Sequence, residues 1–312
     1  MPPFFLPLSK QTQTMLIDYN KVKDKLNDVR LGNVKEGLKL GIPELDEYIR
    51  FKPGNFNVIL GHANVGKTSV ILFLMLSYSI KHKLRWMVYS SENEAYSIIR
   101  KLVEYLDHKP INRVTEEAFD KHTEFIYDHF KIVDAQKMYT YKEIIHLASA
   151  VKDAWDYQGL LIDPYNSLIK DASILKSLGG HEYDYQATTE FRVFAKKTGV
   201  AIWLNTHANT EALRKLHRPD HEYAGHPMPP WAADVEGGGK FVNRADDFWV
   251  IHRMIQHPQL FMYSHLHVRK VKEIETGGRP TSIDNPILLR SVINNVGFSI
   301  NDENVIVRLQ NE

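Results

Sequence analysis

Gly61-His62-Ala63-Asn64-Val65-Gly66-Lys67-Thr68 follows the apolar run Phe56–Leu60 and leads into a helical pattern from Lys67 to His82. A strand, a glycine-bounded loop and a helix in the order G-x-x-x-x-G-K-[ST] turn backbone N–H groups inward around phosphate oxygens. The helix start adds its partial positive charge. The cradle is expected to comprise Gly61, His62, Ala63, Asn64, Val65, Gly66, Lys67, Thr68 and Ser69, with Lys67 on the β- and γ-phosphates and Thr68 on Mg2+. ATP and Mg2+ are the ligands this stretch implies.

A metal held through Thr68 needs a further oxygen, and Asp163 closes the apolar run Leu160-Leu161-Ile162 in the position usual for a Walker B carboxylate. Without the phosphate loop, an Asp before Pro164 would read as a turn residue. Phosphoryl transfer to water also needs a group that orients or deprotonates the nucleophile. Glu92 follows the run Trp86–Ser90 and is favoured for this role; Glu94 is the neighbouring carboxylate, and either can cap the helix beginning there.

Short apolar runs alternate with helical spacings along the chain, the pattern of a parallel sheet covered by helices in one α/β domain. The expected strands are Phe56–Leu60, Trp86–Ser90, Lys131–Val133, Leu160–Asp163, Val200–Leu204, Phe248–His252 and Leu266–Lys272. Expected helices run from Lys67 to His82, Glu94 to Asp107, Thr140 to Trp155 and Glu182 to Lys197. The tail from Ile287 to Leu309 reads as a β-hairpin turning at Asn294-Asn295 or Asn301-Asp302. The stretch from Asn205 to Lys240 holds four prolines and Gly237-Gly238-Gly239 without sustained periodicity, and is expected to be a long, functional, mobile loop. Ahead of the core, Met15, Leu16, Tyr19, Val22 and Leu26 mark a short amphipathic helix that needs a surface to pack on. The division expected is residues 1–37 as a docking segment and 38–312 as the catalytic domain.

Composition narrows the functional classes. The 312 residues carry 39 Lys and Arg against 38 Asp and Glu, so any nucleic-acid contact must come from local patches rather than an overall field. No cysteine is present, which removes disulfides, thiolate catalysis and cysteine-ligated metals. The longest near-apolar stretch, Val70 to Met75 continuing to Ile80, is far short of the ~20 residues that span a bilayer. MPPFFLPLSK lacks the pattern of a secretory signal, and the chain is expected in the cytoplasm. His217, His221 and His226 lie close in sequence, but without a supporting carboxylate pattern they make a poor zinc site.

From about Leu38 to Gly278 the sequence resembles the RecA-like hexameric helicases, which include bacterial replicative helicases, the mitochondrial Twinkle helicase and phage primase-helicases. The resemblance rests on Gly41-Ile42-Pro43-Glu44-Leu45-Asp46, the phosphate loop, Tyr89-Ser90-Ser91-Glu92, Leu161-Ile162-Asp163-Pro164-Tyr165-Asn166, Trp203-Leu204-Asn205-Thr206-His207, and the stretch from Gly237 to Asp246. It implies a RecA-like P-loop core with C-terminal antiparallel strands, and an ATPase motor on single-stranded DNA. Catalysis would fall to Glu92, Lys67 and His207, the last as γ-phosphate sensor. The family's late strand ends in Lys-x-Arg, reaching into a neighbour's site. Here Lys272 fits the first position and Ile274 stands at the second, leaving Arg269, Lys270, Arg253 and Arg244 as other trans-acting cations.

The resemblance further implies a homo-oligomer, a hexameric ring closed by the N-terminal helix, with a primase or loader acting in trans and a phage or mobile-element origin. DNA contacts are expected from Ile169–His181, through Lys170 and Lys176, and from the long loop, through Arg214, Lys215, Arg218 and Lys240. Tyr183, Tyr185 and Trp231 can stack on bases or serve as packing. Two other classes fit the same core: a filament-forming recombinase or recombination mediator, and an ATP-binding assembly protein with weak hydrolysis.

Overall fold

The computed structural model describes residues 17–33 and 36–312, and divides into two compact units, residues 1–36 and 37–312. In the first, helix α1 (Tyr19–Arg30) starts at Asp18, whose side chain accepts from Asn20 N–H. Its Tyr19, Leu26 and Val29 are exposed and Val22 is half-buried, so among the described residues the apolar stripe read from the sequence is largely uncovered. Met15 and Leu16, read as part of that stripe, lie outside the described residues.

The second unit is built on a ten-stranded sheet with the order β10-β9-β8-β7-β6-β1-β5-β4-β2-β3. Six strands are parallel: β1 (Phe56–Gly61), β2 (Trp86–Ser90), β3 (Phe130–Ile132), β4 (Gly159–Asp163), β5 (Ala201–His207) and β6 (Asp247–His252). Their runs are apolar on both faces because helices cover both sides, and β1, β2, β4 and β6 are buried at every position. Alternation divides the core in two. Ile59, Trp86, Trp203 and Trp249 pack on one face under α2 (Lys67–His82) and α3 (Ala95–Asp107). Val58, Leu60, Tyr89, Leu204 and Val250 pack on the other under α5 (Tyr141–Ala154) and α6 (Ala172–Thr198). Helix α2 is apolar nearly all round and accordingly buried from Val70 to Ser79.

Strand β7 (Tyr263–Val271) turns antiparallel against β6, followed by β8 (Ile287–Ser291), β9 (Phe298–Ile300) and β10 (Glu303–Asn304). Both Asn pairs serve as turns, all four residues taking positive φ, which Asn and Asp tolerate better than most side chains. The chain ends in a helix rather than a strand: Asn304 accepts from Ile306 and Val307 N–H and starts α8 (Val305–Asn311).

Two further differences have local causes. Helix α4 (Glu116–His129) was not signalled by apolar spacing, yet Thr115 caps it and Glu116 and Glu117 occupy its first turn. Residues read as a DNA-facing loop are largely helical, because the Asp171 side chain caps a turn starting at Ala172, and Gly179, at φ 80°, bends it into the rest of α6. The connection from Ala208 to Gly239 is long but internally bonded, with bridges Ala208↔Val235 and Leu216↔Pro227.

Candidate nucleotide-binding site

The sheet register brings the sequence motifs to one edge. Gly61 of β1 is paired with His207 of β5, and Ser90 of β2 with Asp163 of β4, so four strands deliver their carboxyl ends to one crevice. Ligands of open α/β sheets bind outside that edge. Gly66 takes φ 83° to turn the chain into α2. Gly61 has no room for a side chain: a Cβ there would lie 2.4 Å from the Ile251 carbonyl oxygen. Because α2 begins at Lys67, its first N–H groups have no intrahelical acceptor and face the loop.

Lys67 is 6% exposed and donates from Nζ to the carbonyls of Gly61 (3.1 Å) and His62 (2.7 Å). Burial pulls its pKa down to about 8, against the opposing pull of Asp163 and Glu92. Thr68 Oγ1 donates to Asp163 Oδ2 at 2.7 Å, and Asn205 Nδ2 donates to the other oxygen. Asp163 is fully buried; desolvation pushes its pKa up, and the nearby Glu92 charge adds to that. A hydroxyl beside a carboxylate is the hard oxygen donor set that suits Mg2+. Thr68 and Asp163 would hold the ion, whose charge would relieve the strain of ionising Asp163.

His207 joins the loop to the carboxylate. Its Nε2 lies 3.2 Å from Glu92 Oε1, and its Nδ1 lies 3.4 Å from Lys67 Nζ. Asn166 fixes this strand end, accepting from Thr206 Oγ1 and His207 N–H and donating to Glu236 of the long connection. Asn205 and Asn166 stand within the quoted motifs but carry no role in the sequence reading; their signal is membership of those motifs at the ends of β5 and β4. Glu94 is the residue before α3 and makes no side-chain capping bond there, while Glu92 is the carboxylate that meets His207.

The remaining candidates scatter. Arg253, at the end of β6, donates to the Phe261 carbonyl and stands beside the chain's own loop, its Nη1 3.9 Å from where a Gly66 Cβ would be. Lys272 pairs with Asp246 at 3.3 Å, an acid also held by Arg192 and Lys196. Lys270 donates to the Val242 and Ala245 carbonyls, Arg244 lies over the Tyr185 ring, and Arg269 over Trp231. Ile274 is exposed in a short helical turn.

Of the expected DNA contacts, Lys176 and Arg218 are exposed, Arg214 is exposed beside Glu211, Lys215 pairs with Asp234, and Lys170 pairs with Asp184 at 3.0 Å. Lys240 departs from the expectation. It is 6% exposed at the start of α7 (Lys240–Arg244), drawn inward by its pairing with Asp184 and its hydrogen bond to the His181 carbonyl. Tyr183 is buried, whereas Tyr185 and Trp231 remain partly exposed.

The parallel core, phosphate loop and antiparallel C-terminal strands define a RecA-like P-loop fold. Solved structures share it. An ATPase domain superposes with a TM-score of 0.69 at 14% identity, covering 91% of this chain and 98% of that one. A DnaB-like replicative helicase, solved with reference to its interactions with primase, gives 0.67 at 16% identity, covering 91% of this chain and 66% of the other. A KaiC-like protein from the hyperthermophilic archaeon Pyrococcus horikoshii gives 0.53 at 16% identity, over 86% and 97%. No family model and no curated protein sequence matches the chain. Among the described residues, no helix is long and apolar enough to cross a membrane.

Proposed function

We propose that the chain is an ATP-hydrolysing motor of the replicative helicase type, moving on single-stranded DNA as a homo-oligomeric, hexameric ring. The observation that carries this reading is the contact series Lys67–His207–Glu92 beside Thr68–Asp163. Lys67 and Glu92 each lie within hydrogen-bond reach of His207, which supports reading them as phosphate-binding cation, water-orienting carboxylate and, between them, sensor. In this scheme Lys67 leaves its loop carbonyls for the β- and γ-phosphates, and His207 reports the γ-phosphate to Glu92. Glu92, half-exposed at the crevice, orients the attacking water and takes its proton. Thr68 and Asp163 would hold Mg2+, which would supply positive charge against the charge developing on the phosphoryl group.

Likeness to the DnaB-like helicase motivates the remaining parts: residues 1–37 docking on an adjacent subunit, a primase or loader in trans, and a phage or mobile-element source with work in the host cytoplasm. Lys176, Arg214 and Arg218 are the exposed cations offered to DNA phosphates. Arg253 and Lys272 are the cations offered to active sites, the former in cis by its position beside Gly66.

Steady-state ATP hydrolysis with and without single-stranded DNA tests this, on wild type, Lys67→Ala and Glu92→Gln, with assembly state recorded. DNA stimulation abolished in both variants supports the motor. Ile274, exposed where the family places an arginine, favours the second reading, an ATP-dependent assembly protein. Tight ATP binding without turnover, DNA present or absent, would establish that reading and overturn the first.

A further inference from the structure

On β7, the residues His265, His267 and Arg269 alternate with Leu266 and Val268, so the apolar pair enters the core and the polar set faces the other way. His252 of β6 is paired with His265 across the ladder and joins the same layer. The connection 208–239 covers this layer and leaves a cavity of about 510 Å³, floored by His252, His265 and His267 and rimmed by Trp231, Arg269 and Tyr223. No residue of the phosphate cradle lines it.

We propose that this cavity binds a planar heteroaromatic base, taken from a free nucleoside or from a nucleotide of a single strand. His267 is 3% exposed, and neither ring nitrogen has a hydrogen-bond partner. The ring nitrogens of His252 are likewise orphaned, the Pro227 carbonyl lying near without hydrogen-bond geometry. Buried polar atoms of this kind are normally satisfied, and their concentration in one cavity marks a place where something else satisfies them.

The chemistry selects the guest. Burial holds the pKa of His252 at about 3, His265 at about 4 and His267 at about 2, so all three are neutral near pH 7. A neutral imidazole presents one donor and one acceptor, which matches the edge of a base and not a phosphate. At the rim, Arg218 and Arg269 are offset by Asp220, Glu222 and Asp284, so no anion-attracting field develops. Metal binding is disfavoured as well: among the described residues no group of three or more ligating side chains has the geometry for an ion. Trp231 is 38% exposed at the rim with the Arg269 guanidinium 4.4 Å from its ring, a stacking platform of the kind that holds bases in single-strand binding proteins.

The strand source rests on the motor reading; the nucleoside source does not. The test uses the full chain with adenosine, guanosine, cytidine and thymidine in calorimetry, an oligothymidylate in parallel, and side-chain ¹⁵N spectra of the histidines. Wild type is expected to bind a nucleoside with shifts at His252 and His267, about tenfold more tightly than Trp231→Ala. His267→Ala should weaken binding similarly, and Lys67→Ala should leave it unchanged. Oligomer affinity falling in Trp231→Ala identifies a strand base as the guest; nucleoside affinity alone falling identifies free nucleoside. Unmoved imidazole signals, equal affinity in Trp231→Ala and wild type, or uptake of Zn2+ with no nucleoside bound would overturn the assignment. ATP hydrolysis would be untouched by that failure, since no cradle residue lines the cavity.

Discussion

Lys67 is held in a conflict that mutation can expose. Its ammonium is almost entirely buried, and burial lowers its pKa from 10.5 to about 8. Keeping that charge inside the folded chain at pH 7 therefore costs about 3 kcal/mol relative to the unfolded state. Two loop carbonyls offset part of it, at about 1 kcal/mol for each hydrogen bond. Lys67→Met keeps the length of the side chain, removes the charge and forfeits both bonds, so the nucleotide-free variant should be more stable than wild type by about 1 kcal/mol.

The pH dependence carries a definite sign. The folded pKa lies below the unfolded one, so the unfolded chain binds more protons between pH 8 and pH 10.5, and wild-type stability rises across that window. The Met variant lacks this rise, so its advantage of about 1 kcal/mol is used up near pH ~9, and wild type is the more stable by about 2 kcal/mol at pH 10.5. With nucleotide the order inverts: at a hundredfold excess over Kd, binding stabilises wild type by about 2.7 kcal/mol and leaves the variant unmoved. Urea unfolding at pH 7 and pH 10.5, with and without ATP, measures all of this. A nucleotide-free variant less stable than wild type at pH 7 would refute the reasoning.

Glu92→Gln should retain ATP binding and lose hydrolysis by about 10²–10⁴-fold, the usual contribution of a positioned base, as single-turnover assays would show. Trp203→Ala removes the indole that packs edge-on against Trp86 and Trp249, at centroid distances of 4.9 and 5.2 Å. It should cost about 3–5 kcal/mol in urea unfolding, and a loss below 1 kcal/mol would mean that the layer repacks. Asp246→Ala leaves Arg192, Lys196 and Lys272 without their shared carboxylate and Phe56 N–H without its side-chain acceptor. We expect a loss of about 3 kcal/mol, smaller in Lys272→Ala because that lysine is half-exposed.

The phosphate loop, Asp163, Glu92 and His207 were legible because each follows an apolar run, and a strand end is a local property of the chain. The same locality made β2, α2 and the ends of β4 readable nearly to the residue. Lys240 was misjudged because a lysine after three glycines carries no sign of Asp184, 56 positions earlier, which draws it inward. Helix α4 escaped because its start is signalled by a cap and acidic first turn rather than by an apolar stripe.

Apolar periodicity and backbone chemistry are written in neighbouring residues, and so the sequence by itself determined a parallel α/β sheet, a glycine-bounded loop at a strand end and the carboxylates at neighbouring strand ends. Register, side-chain direction and burial depend on partners far along the chain. Only the tertiary structure therefore decided that Asn205 and Asn166 brace the site, that Arg253 stands beside its own loop, and that His252, His265 and His267 share a layer facing away from the apolar core.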